Sequence, residues 1–243
     1  MNRALTVDLW DTLIYDVPEV DDARRDLRLT EIGKILQGAT GFDYQKSWEQ
    51  MRAAYATSWQ WLEKTWQTGQ EIVPSEQLRL YLNLLFENKI PKNLPETDLL
   101  TAYLEPILAH PPFPMPGSRE VLSELKQRGW KLGLISNTGR TSGIYLRRLL
   151  QKHGVFELFD TFSFSDEFGR RKPDSVIFEK TLAALGITPE LSFHLGDSWE
   201  ADVTGAQRAG LTPFWFCRNG EEALDPTVQK VKSWPELEIL FQN

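Results

Sequence analysis

Short apolar runs that stop on a polar residue alternate with stretches of helical spacing over much of the chain. The first run, residues 4–7, closes at Asp8 and reads as a buried parallel strand whose carboxyl end presents carboxylates. Strands of the same kind are expected at residues 131–135, ending at Ser136, at 161–165, at 191–195, ending in Gly196-Asp197, and at 212–217. Helices are expected between them: 118–128 with Ser118 as N-cap and Gly129 as stop, 142–153, 176–185 stopped by Gly186, and 202–209 stopped by Gly210. Strands that alternate with helices predict an α/β fold, a Rossmann-like parallel sheet covered on both faces. Ligands of such sheets bind beyond the carboxyl ends of the strands, where Asp8, Ser136 and Asp197 fall.

Between residues 16 and 110 the pattern changes. Helix formers dominate, apolar residues recur at mixed spacings of three and four (Leu78, Tyr81, Leu82, Leu85), and Trp48, Trp59, Trp61 and Trp66 fall inside the stretch. Four or five helices are expected, with the tryptophans mostly in their core. The proline-rich segment 110–117 cannot be helix interior and marks the return to the sheet. The expected organisation is an α/β core of residues 1–15 and 111–243 interrupted by an all-helical insertion at 16–110.

Composition narrows the function classes. Of 243 residues, 41% are hydrophobic and 25% charged, as in an ordinary globular protein, and the net charge of −7 argues against a basic nucleic-acid-binding face. The single cysteine, Cys217, rules out an internal disulfide and any cysteine metal cluster, and follows an apolar run as a core residue would. No apolar stretch approaches the roughly 20 residues of a membrane helix, and residues 1–3 carry no signal-peptide pattern. The expectation is a cytoplasmic protein, monomer or homodimer, with a small-molecule substrate and neither nucleic-acid nor membrane partners.

Four short segments carry candidate chemistry: Asp8-Leu9-Trp10-Asp11-Thr12, Ser136-Asn137, Lys172-Pro173, and Gly196-Asp197-Ser198 with Asp202. Asp8 can act as a nucleophile that forms an ester later cleaved by water. Asp8 and Asp197 at neighbouring strand ends would repel one another unless a cation lay between them, and Mg²⁺ suits oxygen ligands and phosphate together. Ser136, Thr12 and the backbone amides after Asp8 can donate to phosphoryl oxygens, Lys172 offsets negative charge, and Asp202 can support the metal site.

These residues resemble the haloacid dehalogenase superfamily of aspartate-nucleophile hydrolases, over residues 4–12 and again from 116 to about 219. The insertion matches in position and helical character the cap of the subclass whose cap follows the first motif. The resemblance implies a mobile helical cap and, most often, Mg²⁺-dependent phosphatase activity on a small phosphorylated metabolite. It implies Asp8 as nucleophile and metal ligand, Trp10 as donor of a backbone carbonyl to the metal, Ser136 as binder of the transferring group, Lys172 as its steadying cation, and Asp197 with Asp202 at the metal. Asn137, Trp10 and Arg52 are candidate substrate contacts.

The chain departs from the family pattern at Trp10. Phosphatases of this family usually carry there a second Asp, the general acid and base, followed by glycine; here Asp11 takes the glycine position. Indole has no proton to exchange at neutral pH. A phosphatase acting on a substrate with a good leaving group, or using Asp11 or a cap residue instead, fits the residues best. A 2-haloacid dehalogenase needs no leaving-group proton, but such enzymes use a metal-free loop where this chain has Gly196-Asp197-Ser198, and a Tyr where it has Phe178. A phosphonatase-like carbon–phosphorus hydrolase would need a Schiff-base lysine from Lys34, Lys46 or Lys64. A non-catalytic binding protein of this fold is the remaining alternative. In the insertion, Arg24, Arg25 and Arg28 could reach an anionic group, though a solvated helix face shared with Asp21, Asp22 and Asp26 is the plainer reading. His110, His153 and His194 show no ligand spacing, and His194 reads as structural.

Overall fold

A computed structural model describes residues 3–241. The chain divides into two compact units, one containing the residues up to Asp16, Phe113–Asn137 and the chain from Leu150 onward, the other Val17–Pro112 with Thr138–Leu149.

The first unit is built on β1 (Ala4–Val7), β4 (Lys131–Ser136), β5 (Thr161–Phe164), β6 (Ser192–Gly196), β7 (Thr212–Phe216) and β8 (Gln229–Val231). A separate two-residue pairing joins β2 (Ile14–Tyr15) to β3 (Phe113–Pro114), closing the chain where the other unit leaves and returns. The six-stranded sheet has the order β5-β4-β1-β6-β7-β8, and every pair in it is parallel. The chain builds outward through β4 and β5 on one side of β1, then returns to build β6, β7 and β8 on the other. In sheets of this kind ligands bind outside the carboxyl ends of the strands at such a reversal, here the ends of β4, β1 and β6.

The second unit carries α1 (Pro18–Thr40), α2 (Trp48–Gln67), α3 (Pro74–Leu85), α4 (Glu96–Leu104) and α5 (Pro106–Ala109). Leu29, Ile32 and Leu36 of α1 pack with Met51 of α2, Leu78, Tyr81 and Leu85 of α3, and Leu99 and Tyr103 of α4. Trp48 is partly buried against this core, whereas Trp59, Trp61 and Trp66 are not among its residues. Trp59 and Trp61 are 37% and 47% exposed, because the buried stripe of α2 runs through Met51, Ala54, Ser58 and Leu62 instead. Residues 138–149 belong to this unit as well, a membership with no signal in the hydropathy pattern.

The remaining helices are α6 (Ser118–Gln127), α7 (Gly143–Lys152), α8 (Ser165–Phe168), α9 (Ser175–Leu185), α10 (Gly205–Arg208) and α11 (Trp234–Leu240). Side chains alternate across the sheet, so each strand feeds two different cores. Ala4 and Ile135 meet Ile177, Phe178 and Leu182 of α9. On the sheet's other face, Phe193 meets an aromatic group of Trp130, Phe214 and Phe241. Cys217 is buried in a small cluster with Val203, Trp215 and Val228, as expected of it. Ser118 is not the N-cap of α6: Gly117 occupies that position at φ 79°, a conformation glycine adopts without steric cost, and Ser118 is the first helical residue. The helix expected from residue 202 begins earlier, as a π-helix over Trp199–Thr204 capped by the Ser198 hydroxyl, which accepts from Ala201 N.

Candidate active site

Two neighbouring strand ends and the π-helix place the acidic groups. Asp8 follows β1 and keeps the parallel ladder going by donating its N–H to the Leu195 carbonyl at 2.9 Å. Asp197 follows β6, its carbonyl held by the Trp215 indole N–H at 2.8 Å. Asp202 reaches back from the π-helix to lie over Gly196, where a Cβ would sit 2.2 Å from the Asp202 Cγ. Only glycine leaves room for that carboxylate. Asp8, Asp197 and Asp202 each offer an oxygen within 4.8 Å of the others.

Lys172 ties two of these acids together. Its buried Nζ donates to Asp8 Oδ1 at 2.5 Å, Asp202 Oδ1 at 2.6 Å and the Ile135 carbonyl at 3.0 Å. An ammonium has three donors and all three are used. The Lys172 backbone is fixed in turn by Asn137, whose Oδ1 accepts from Lys172 N at 2.9 Å and whose Nδ2 donates to Lys172 O at 3.1 Å. The peptide between Lys172 and Pro173 is cis. Asn137, expected among the substrate contacts, therefore has both ends of its amide engaged in holding the lysine.

His194 belongs to this network, although its place in a core strand gave no hint of it. Its ring lies on the α9 face of the sheet, fully buried, with Nδ1 2.8 Å from Thr6 Oγ1 and Nε2 3.0 Å from Asp202 Oδ1. Burial holds its pKa below the usual value, so the ring is neutral. Asp202 is an acceptor only, which puts the ring proton on Nε2 and leaves Nδ1 to accept from the Thr6 hydroxyl. The other Asp202 oxygen accepts from Ser198 N at 3.0 Å. The Lys172 charge and the hydrogen bonds from His194 and Lys172 overcome burial and lower the Asp202 pKa to about 2.

The other two acids are pushed the opposite way. Burial, followed by the charges of Asp202 and Asp11, raises Asp197 to about 7. Burial also raises Asp8 well above the ordinary carboxylate range despite its Lys172 partner. Three clustered carboxylates facing one ammonium leave an excess of negative charge, so a divalent cation with oxygen preference fits the donor set.

The remaining candidates lie as follows. Thr12 is buried, its carbonyl takes the Trp234 indole N–H at 2.9 Å, and its Oγ1 has no hydrogen-bond partner among the described residues. Ser136 is buried at the end of β4, its hydroxyl making, among the described residues, only a long 3.4 Å contact to the Asn137 carbonyl. Trp10 is half-buried and bridges to Ile14. Asp11 holds φ at 55°, in the left-handed region, and its carboxylate lies 3.8 Å from Arg218. That backbone geometry gives a physical reason for glycine at this position in the family pattern. Arg52 lies on α2 of the helical unit, 3.9 Å from Asp26. Arg25 does form the solvated face with Asp22 and Asp26, but Arg24 and Arg28 are buried.

Comparison with known proteins shows the family. The family model for haloacid dehalogenase-like hydrolases matches residues 3–210. The chain belongs to that family. A glyceraldehyde 3-phosphate phosphatase from Methanothermobacter thermautotrophicus is 37% identical over 101 residues, 41% of this chain and 42% of that protein, so the match spans less than half of the relative's length. Among solved structures, a HAD phosphatase from Thermococcus onnurineus aligns over 98% of this chain and 97% of its own with a TM-score of 0.63 at 21% identity. A 2-haloacid dehalogenase from Pseudomonas syringae aligns over 100% and 99% with a TM-score of 0.68 at 18% identity. At those identities the two structures establish that this haloacid dehalogenase-like hydrolase shares their fold. No described helix is long and apolar enough to cross a membrane.

Proposed function

We propose that this hydrolase is a Mg²⁺-dependent phosphatase acting on a small phosphorylated metabolite through an aspartyl-phosphate at Asp8. The observation that carries the reading is the cluster of Asp8, Asp197 and Asp202 around the Lys172 ammonium, at the strand ends where an α/β sheet binds its ligands. The phosphatase name of the Methanothermobacter relative supports the same class.

Asp8 and Asp197, with the Trp10 carbonyl, would hold the Mg²⁺, and Asp202 would support them by fixing Lys172. When bound, the ion supplies positive charge that favours ionised Asp8 and Asp197 and screens the nucleophile from the phosphoryl group. Lys172 fixes Asp8 Oδ1, leaving Oδ2, which accepts no hydrogen bond among the described residues, to attack phosphorus. The new O–P bond forms as the bond to the leaving oxygen breaks, and water then cleaves the acyl phosphate to return the Asp8 carboxylate and inorganic phosphate. The unpartnered Thr12 Oγ1 and the weakly engaged Ser136 hydroxyl are donors for the phosphoryl oxygens. Trp10 cannot protonate the leaving group, so substrates with good leaving groups, such as acyl or aryl phosphates, are favoured. The chain's expected cytoplasmic location is part of this proposal.

The absence of a proton donor at Trp10 also suits a dehalogenase. Against that reading stands the metal-suited acidic cluster. Phe178, at the position of the dehalogenase Tyr, packs edge-on against His194 with ring centres 4.9 Å apart. The phosphonatase reading loses support because Lys34 and Lys46 pair with Glu31 and Asp43 at the surface. The Lys34 pKa is raised, opposite to what a Schiff-base amine needs.

Hydrolysis of p-nitrophenyl phosphate with Mg²⁺ and with excess chelator tests the proposal. Turnover only with the metal, lost in Asp8→Asn at unchanged circular dichroism, is expected. Equal rates in chelator, or an active Asp8→Asn, would refute it. Metal-free chloride release from 2-chloropropionate would favour the dehalogenase.

A further inference from the structure

The helical unit contains two buried guanidinium groups that no carboxylate balances. Arg28 of α1 is 2% exposed and Arg140 is 7% exposed, and among the described residues neither has an acidic group within 4 Å. Both sit on the same aromatic residues. The Arg28 guanidinium is 5.6 Å from the Tyr55 ring centre and 5.4 Å from that of Tyr103; that of Arg140 is 3.7 Å from Tyr55 and 4.9 Å from Trp59. Arg28 donates to the Tyr103 carbonyl at 2.6 Å and to the Tyr55 hydroxyl. Arg140 donates to the Tyr103 hydroxyl at 3.1 Å, the Tyr55 carbonyl at 3.1 Å and Ser58 Oγ at 3.3 Å.

These bonds satisfy some donors but neutralise no charge. Burial raises the Tyr103 pKa, so its hydroxyl stays neutral and compensates neither cation. Each guanidinium has five N–H groups; Arg28 uses two and Arg140 two nitrogens of three, so each keeps donors with no acceptor among the described residues. Buried arginines are ordinarily paired. Here two like charges share the Tyr55 ring with no acidic group of the described residues within 4 Å of either. Arg24, by contrast, lies 3.6 Å from Asp21.

We infer that Arg28 and Arg140 form a binding site for a small anion bearing a carboxylate or phosphate group, with Tyr55 and Trp59 as its aromatic wall. Planar guanidinium forks match the paired oxygens of either group, and the aromatic faces hold the forks in orientation. The site lies within the helical unit and does not depend on the hydrolytic reading.

Calorimetric titration of the full chain with malonate and, separately, with inorganic phosphate tests the inference. The expected result is submillimolar binding of at least one anion, weakened tenfold or more in Arg28→Gln and in Arg140→Lys, with near-ultraviolet circular dichroism confirming the fold. Malonate binding alone identifies a carboxylate site, phosphate binding alone a phosphoryl site. Because Asp8 and its neighbours could also take phosphate, only the component lost in the arginine variants supports the site. Crystals of the unaltered protein soaked in selenate give a measurement independent of variant folding, with an anomalous peak expected at both guanidinium groups. Absence of millimolar or tighter binding of both anions, affinities unchanged in both variants, or selenate peaks elsewhere only would each overturn the inference.

Discussion

The Asp197 carboxyl, pushed up to about 7 from 3.8, makes stability depend on pH in a defined direction. Between those two values the folded chain keeps a proton that the unfolded chain has released. The folded state therefore binds more protons, and its stability falls as pH rises, with the contribution complete below the unfolded pKa and lost on passing the folded one. At about 1.4 kcal/mol per pKa unit the full effect is about 4 kcal/mol, of which about 2.5 kcal/mol falls between pH 5 and 8. A domain of this size moves by about 2–4 °C per kcal/mol, so the metal-free protein is expected to melt about 5–10 °C lower at pH 8 than at pH 5 from this group. Asp197→Asn cannot ionise and removes that slope. The difference between the two proteins reads Asp197 together with the part of the Asp8 shift caused by Asp197's charge. Saturating Mg²⁺ favours the ionised carboxylates and should flatten the slope of the unaltered protein while leaving the variant nearly unmoved. Differential scanning calorimetry in excess chelator and in Mg²⁺ at pH 5, 6.5 and 8 measures all three quantities. Parallel melting of the two proteins across that range in chelator would refute the electrostatic account of the cluster.

Three further outcomes follow from the same contacts. Lys172→Met leaves Asp8 and Asp202 buried without their cation and should cost about 3–5 kcal/mol in urea unfolding at pH 7.5, largely recovered by adding Asp202→Asn; no recovery would show that the lysine's role is not charge pairing. Trp10→Asp restores a leaving-group acid and should raise the p-nitrophenyl phosphate rate by about 10²-fold or more, and an unchanged rate would mean that proton transfer does not limit turnover. His194→Phe removes the N–H aimed at Asp202 and leaves the Thr6 hydroxyl the Phe193 carbonyl at 3.1 Å as its acceptor, with an expected loss of about 1–3 kcal/mol by chemical denaturation; unaltered stability would mean that this buried contact contributes nothing net.

The chain by itself determined the order of β1, β4, β5, β6 and β7 and of the longer helices between them, because a buried parallel strand must be a short apolar run and the helices between carry their own stops; β8 and the β2–β3 pairing gave no such signal. It also determined which residues fall at strand ends, and with them Asp8, Ser136 and Asp197 as candidate chemistry, with Lys172 ahead of a helix. Local pattern could not show that His194 touches Asp202, since the contact exists only where β6, β1 and the π-helix meet. Nor could it show that Asn137 engages both of its amide ends on Lys172, 35 residues away. Arg24, Arg25 and Arg28 look alike beside their aspartates, yet packing against other helices buries the first and third and leaves the second paired at the surface. Residue type and spacing are local properties of the chain, whereas burial and the sharing of one carboxylate by two donors arise only when distant segments exclude water from the same volume.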